Sequence, residues 1–213
     1  MIDTFEWIVR AAGMGGLLIA WLVAGTAAAR SRLRPVGRGL GLAPRMGAQT
    51  SYLLVAVPYF AIWALLWSPL PGTLADWARI VAVLVGAALG SLGLTLYLWG
   101  RHTLGDMYNV SSSLGTELYA NHQLITNGPF RLVRHPMYFG IALAVLGGLA
   151  VYRTWTLVFA LASVVGLSVK ARHEDRLLAA EFGEAWTEYA GRVPGWLPRR
   201  SSFHNATKGA AHE

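Results

Sequence analysis

The sequence predicts an all-α integral membrane protein with about five transmembrane helices, and three observations carry that reading. Hydrophobic residues make up 54% of the 213 residues and charged residues only 14%, against about 25% charge in an ordinary soluble domain. Mean hydropathy is positive. The apolar residues are gathered into five runs, each bounded by Arg, Pro or Gly, as bilayer-crossing helices require.

The first run, 11–29, contains no charge, and Trp7 stands near its outer end. At about 1.5 Å per residue it is long enough to cross the hydrocarbon core. A cleaved signal peptide would lead with a basic cluster, whereas this segment carries Asp3 and Glu6 against Arg10, so a retained span is expected. The second run, 52–67, ends in Ser68-Pro69-Leu70-Pro71-Gly72, whose prolines stop a helix. Arg79 precedes the third, 80–99, which ends at Gly100-Arg101-His102. The fourth and fifth, 137–152 and 155–169, flank a short Arg153-Thr154 connection and read as a helical hairpin. Both are short for a full crossing, so little tilt or shelter by neighbouring helices is expected.

Loop charge sets the expected orientation. The connection between the first two spans carries Arg30, Arg32, Arg34, Arg38 and Arg45 with no acid, whereas the loop 68–77 holds only Asp76. The positive-inside rule puts the arginine-rich loop in the cytoplasm. Five spans then leave the N-terminus outside and the C-terminus inside a cell (inner) membrane. The connection 101–136 and everything after Lys170 fall on the cytoplasmic side. Three regions are expected: an N-terminal three-span region, 1–100; a catalytic region, 101–200; and a disordered polar tail, 201–213.

The absence of cysteine excludes disulfides, thiolate nucleophiles and cysteine-ligated metal centres. The formal charge of +7 lies mostly in loops beside apolar spans, where anionic headgroups explain it better than nucleic acid does. His102, His122, His135 and His173 have no close ligand spacing, so no metal is expected.

The polar edge of the fourth span is the first place to look for a site, because charge at a bilayer boundary costs free energy unless it holds something. Pro136 suits the first turn of that helix and leaves His135 at the cap. Free backbone donors and the positive end of the helix dipole then lie beside Arg131 and Arg134, an arrangement suited to a carboxylate or phosphate. After the fifth span, Leu178, Phe182, Trp186 and Tyr189 recur at helical spacing from 172 to 189, with Glu181, Glu184 and Glu188 between them. That pattern predicts an amphipathic helix running on from the fifth span. Glu174 lies within about a turn of the membrane end, near Lys170 and Arg172, where a carboxylate holds a cationic ligand or pairs with those bases. Physics alone therefore gives a cytoplasmic pocket, formed by the 101–136 connection and the C-terminal helix, for a polar ligand beside lipid. It does not give a reaction.

Two motifs do. His122-Gln123-Leu124-Ile125-Thr126-Asn127-Gly128-Pro129-Phe130, followed by Arg134-His135-Pro136-Met137-Tyr138-Phe139-Gly140, resembles the H-x-L-V-T-x-G-x-Y and R-H-P-x-Y-x-G patterns of the isoprenylcysteine carboxyl methyltransferase family. Later, Glu174-Asp175-Arg176-Leu177-Leu178, then Phe182-Gly183-Glu184 and Tyr189, and Arg192-Val193-Pro194-Gly195-Trp196-Leu197-Pro198, resemble that family's E-E-x-x-L, F-G-E-x-Y-x-x-Y and R-V-P-x-x-x-P patterns. The resemblance covers roughly residues 95–200.

It implies methyl transfer from S-adenosyl-L-methionine to a lipophilic acceptor at the cytoplasmic membrane face. Carried over residue by residue, it assigns His122, Gln123, Leu124, Ile125, Phe130, His135, Pro136, Met137, Tyr138 and Glu174 to the cofactor. Glu174 and Lys170 become the catalytic candidates, and Lys170 and Arg134 the substrate-binding ones. The family's substrate-holding arginine is Lys170 here, which keeps the charge without the planar bidentate grip. Its second glutamate is Asp175, and its tyrosine after the turn is Phe130. The carboxylate of a prenylcysteine-like lipid, a phospholipid amine and a thiol all stand as acceptors. An NADPH-dependent sterol-type reductase and a non-catalytic lipid-binding protein are the other readings. The bilayer and a lipidated or small lipophilic acceptor are the expected partners.

Overall fold

The computed structural model describes residues 2–31, 36–41, 48–108 and 115–197, with backbone alone at 27–31, 36–41, 48–52 and 115–117. Arg32, Arg34, Arg45 and the expected tail at 201–213 lie outside the described residues. Among the described residues there are six α-helices: α1 Ile2–Ser31, α2 Ala48–Leu65, α3 Asp76–Leu104, α4 Pro136–Tyr152, α5 Trp155–Phe182 and α6 Glu184–Arg192. The protein is an all-α membrane protein by architecture. Among the described residues three stretches are long and apolar enough to cross a bilayer, Ile2–Thr26, Asp76–Met107 and Trp155–Phe182, while Leu53–Leu65 and Pro136–Tyr152 are shorter apolar helices.

The helices wear their hydrophobicity on the outside. Leu18, Trp21, Leu22, Leu54, Val57, Leu84, Val85 and Val165 are all more than half or about half exposed. In water such a surface invites aggregation; in lipid it is the solvated face. Internally, α3 and α4 form the most extensive helix pair among the described residues, and glycine allows it. A Cβ at Gly140 would stand 2.6 Å from the Gly93 carbonyl oxygen, and one at Gly86 would stand 2.6 Å from that of Gly147. Backbones that close leave no room for a side chain, and dispersion across the seam replaces the hydrophobic drive that lipid cannot supply. The fully buried Thr156 ties α5 to α2 by donating to the Trp63 carbonyl at 2.9 Å.

Two features differ from the helical expectation. Val36–Gly41 (β1) and Gly115–Tyr119 (β2) pair antiparallel, with Val36 opposite Tyr119 and Gly41 opposite Gly115, so a short ribbon joins the two connections. A glycine-rich segment of mixed polarity has no period-2 pattern to announce it. The amphipathic helix expected at 172–189 is instead broken: α5 continues unbroken from the membrane to Phe182, Gly183 turns at φ +53°, and α6 begins at Glu184. Only glycine takes that backbone conformation without strain.

Candidate functional site

The site forms where the start of α4 meets the polar half of α5. Pro136 is the first residue of α4 and His135 its cap, as the sequence predicts. The segment is pinned from behind by main chain: the Arg134 N–H donates to the Pro194 carbonyl at 2.9 Å and the His135 N–H to that of Gly195 at 3.0 Å. The Gly128–Arg131 turn before it is held close to α3. Gly128 sits at φ +55°, and a Cβ there would meet Thr103 Oγ1 at 2.7 Å. Phe130 is buried, and its carbonyl accepts from the Tyr189 hydroxyl at 2.8 Å, which locks α6 beneath the turn. Burial pushes the Tyr189 phenol well above its ordinary range, so it remains a donor.

Five side chains then interlock. His135 Nε2 stands 2.9 Å from Asp175 Oδ1, and its Nδ1 lies 3.7 Å from Glu174 Oε2. The Tyr138 hydroxyl donates to Glu174 Oε1. Arg134 donates to Asp175 Oδ2 at 3.2 Å and to the Ala190 carbonyl at 3.0 Å. Tyr138 stacks on His135 at 5.6 Å between centroids, and Trp196 closes on both rings at 6.1 and 6.5 Å. Lys170 Nζ sits 5.3 Å from the centre of the Tyr138 ring. Two carboxylates on consecutive residues of α5 thus meet an arginine, a histidine and an aromatic panel.

This geometry alters the helix-start expectation. The positive end of α4 does face carboxylates, but they are the protein's own Glu174 and Asp175. Arg134, expected to bind substrate, gives its guanidinium to Asp175 and Ala190 and lies 5.7 Å from the Trp186 ring, so it braces the site. Glu174, expected near Lys170 and Arg172, lies close enough to Lys170 for their charges to interact and also engages Tyr138 and His135.

The His122 arm approaches from the other side. His122 packs 6.3 Å from Phe182, and its Nδ1 is buried without a hydrogen-bond partner among the described residues. Desolvation pushes its pKa below the ordinary value, opposed by the nearby Glu181 carboxylate. The Gln123 N–H points at Met107 Sδ at 3.3 Å, and Leu124 and Ile125 are half-buried. Met137 and Pro136 are buried against Gly100 of α3, where a Cβ would stand 2.7 Å from Met137 Cγ. They shape the helix start from behind. Trp196 carries no assigned role in the sequence, yet it forms part of the ring panel; its place inside the Pro194 to Pro198 motif was the available signal.

The motifs converge in space, and comparison with other proteins gives them relatives. The phospholipid methyltransferase family profile matches residues 81–185, which spans α3, both motif segments and Glu174. The protein-S-isoprenylcysteine O-methyltransferase of Schizosaccharomyces pombe is 29% identical over 121 residues, 56% of this chain and 51% of that protein. Over this stretch the chain is similar to the isoprenylcysteine carboxyl methyltransferase-like membrane proteins. Methanethiol S-methyltransferase 2 of Bradyrhizobium diazoefficiens is 28% identical over 158 residues, 71% of the chain and 60% of that protein. The cobalt-zinc-cadmium resistance protein CzcN of Cupriavidus metallidurans is 35% identical over 126 residues, 58% and 54% respectively. The chain spans little more than half the length of these relatives.

Proposed function

We propose that the protein is an S-adenosyl-L-methionine-dependent methyltransferase that methylates a lipophilic acceptor at the cytoplasmic membrane face. One observation carries the reading: Glu174, held by Tyr138 and His135 and walled by Trp196, joins the two family motifs in a single acidic, aromatic cluster. That donor set fits a cationic methyl donor, because a carboxylate and π-faces both attract a sulfonium or ammonium. When bound, the cofactor supplies an electrophilic methyl group.

The chain's own residues supply orientation. Asp175 holds the His135 ring through Nε2, and Tyr138 fixes the rotamer of Glu174, so the carboxylate is ordered before ligand arrives. Lys170, its Nζ over the Tyr138 ring, is suited to an anionic acceptor group. The apolar faces of α5 around Val165 and Val169 offer a lateral path from the bilayer. A carboxylate acceptor needs no general base, and shielding the reacting groups from water completes the chemistry. The relative named for methanethiol aligns with the largest share of this chain among those compared, which favours keeping thiols beside carboxylates as acceptors.

Membranes containing the protein, given S-adenosylmethionine with a labelled methyl group and a total lipid and small-molecule extract, test the reading. Label in an extractable product, dependent on Glu174, is expected. Absence of transfer with every fraction would refute it.

A further inference from the structure

We propose a second binding site, at the opposite end of the bundle from the motif cluster, that holds the phosphate group of a membrane phospholipid. The site is a cavity of about 500 Å³ at the start of α3 and the end of α4, lined by Glu6, Arg10, Gly72, Arg79, Tyr152 and Arg153 among others. It shares no residue with the cluster around Glu174, and the inference does not depend on the methyltransferase reading.

The charge pattern identifies the ligand. Glu6 is 9% exposed, and both its oxygens are already taken, Oε1 by Arg10 at 2.5 Å and Oε2 by Arg79 at 2.6 Å. Asp3, the other lining carboxylate, also lies on Arg79, at 2.9 Å. The acids lining the cavity are therefore paired with two arginines, of which Arg79 also faces Asp76 at 3.7 Å, and a third arginine keeps no acid partner among the described residues. Arg153 makes its side-chain hydrogen bond to the Gly72 carbonyl at 3.1 Å and has no carboxylate within ion-pair distance among the described residues. Arg10 Nε, in the lining of the same cavity, is buried without a hydrogen-bond partner among the described residues. An unneutralised guanidinium in a cavity at a helix end attracts an anion with several acceptor oxygens, and phosphate matches its fork of donors.

The backbone points the same way. Among the described residues Arg153 is the one non-glycine residue in the left-handed region, at φ +51°. A position that glycine would occupy freely carries a large cationic side chain at a conformational cost. Its conformation is imposed by neighbours: the Leu70 N–H donates to the Arg153 carbonyl at 2.7 Å and the Arg153 N–H to Leu149 at 3.1 Å. The side chain is thereby aimed over the cavity mouth toward Gly72. Trp7 and Trp77, 68% and 72% exposed at the same end of the bundle, mark the depth of the headgroup region. A phospholipid seated there lays its acyl chains along the apolar outer faces of α1 and α3.

The full chain in non-ionic detergent micelles provides the test, with thermal unfolding and native mass spectrometry as readouts. Phosphatidylglycerol should raise Tm and appear as one retained lipid per chain, whereas diacylglycerol, which has the tails without the phosphate, should do neither. Arg153→Gln should abolish both responses, and Arg153→Lys, which keeps the charge, should retain a good part of them. Inorganic phosphate stabilising as well as the lipid would keep the phosphate site but overturn the lipid as its source. An equal response to diacylglycerol, an unaltered response in Arg153→Gln, or no retained lipid on the wild-type protein would overturn the site. Should Arg153→Gln fail to fold, the diacylglycerol comparison on the wild-type chain decides.

Discussion

At the scale of single residues, Asp175 has the most dependents. One oxygen holds His135 and the other holds Arg134, both of them mostly buried. Asp175→Ala leaves these groups without their acceptor, and loss of hydrogen bonds to charged groups costs about 1 to 3 kcal/mol. Chemical denaturation in detergent should show that loss, accompanied by weaker binding of S-adenosylhomocysteine because the His135 ring is released. Lys170→Ala should behave differently, lowering acceptor turnover more than S-adenosylhomocysteine affinity, since its cation lies over the Tyr138 ring, where the proposed function puts the acceptor. His122 sets a pH dependence. Its folded-state pKa is depressed by burial, so the unfolded chain binds the proton more readily and the folded state is destabilised as pH drops below about 6.5. The stability tied to neutral His122 is complete above that value and is lost as pH falls through the folded pKa. His122→Gln should flatten that part of the stability profile, measured as Tm against pH.

Secondary elements show why the site could be read only partly in advance. Pro136 at the first turn of α4 and His135 at its cap were legible, because a missing N–H belongs where no partner exists. The hairpin around Arg153-Thr154 was legible for a similar reason, being the one polar break between two apolar runs. The break at Gly183 was harder, since apolar spacing continues across it from Leu178 to Tyr189 and periodicity does not sense a single reversed φ. The pairing of Arg134 with Asp175 was beyond the sequence, because two elements about 40 residues apart meet only through the α4–α5 hairpin. That hairpin stands on the glycine seam between α3 and α4. Gly140→Leu forces a side chain against the Gly93 carbonyl and should destabilise the protein by about 1 to 3 kcal/mol or more. Gly166→Ala, in α5 with open space around it, should be neutral or slightly stabilising. Thermal unfolding of the two variants side by side checks the contrast.

Across the whole molecule, composition was the reliable guide: an apolar surface with few charges and small residues inside is the inverse of a soluble domain, and the helices present it that way. The ribbon between β1 and β2 was not legible, because glycine-rich loops carry no alternating pattern. Under the proposed function, the fold brings two distant motifs together so that Glu174 is fixed by Tyr138 and His135 and meets a cationic cofactor. Titration calorimetry with S-adenosylhomocysteine on the wild-type protein and on Glu174→Gln tests this most directly, with circular dichroism to verify equal helicity. Saturable binding to the wild type is expected, with an affinity lower by about tenfold or more in the variant, as loss of a charge-assisted contact implies. Equal affinity in the two proteins, or no binding to the wild type, would contradict it.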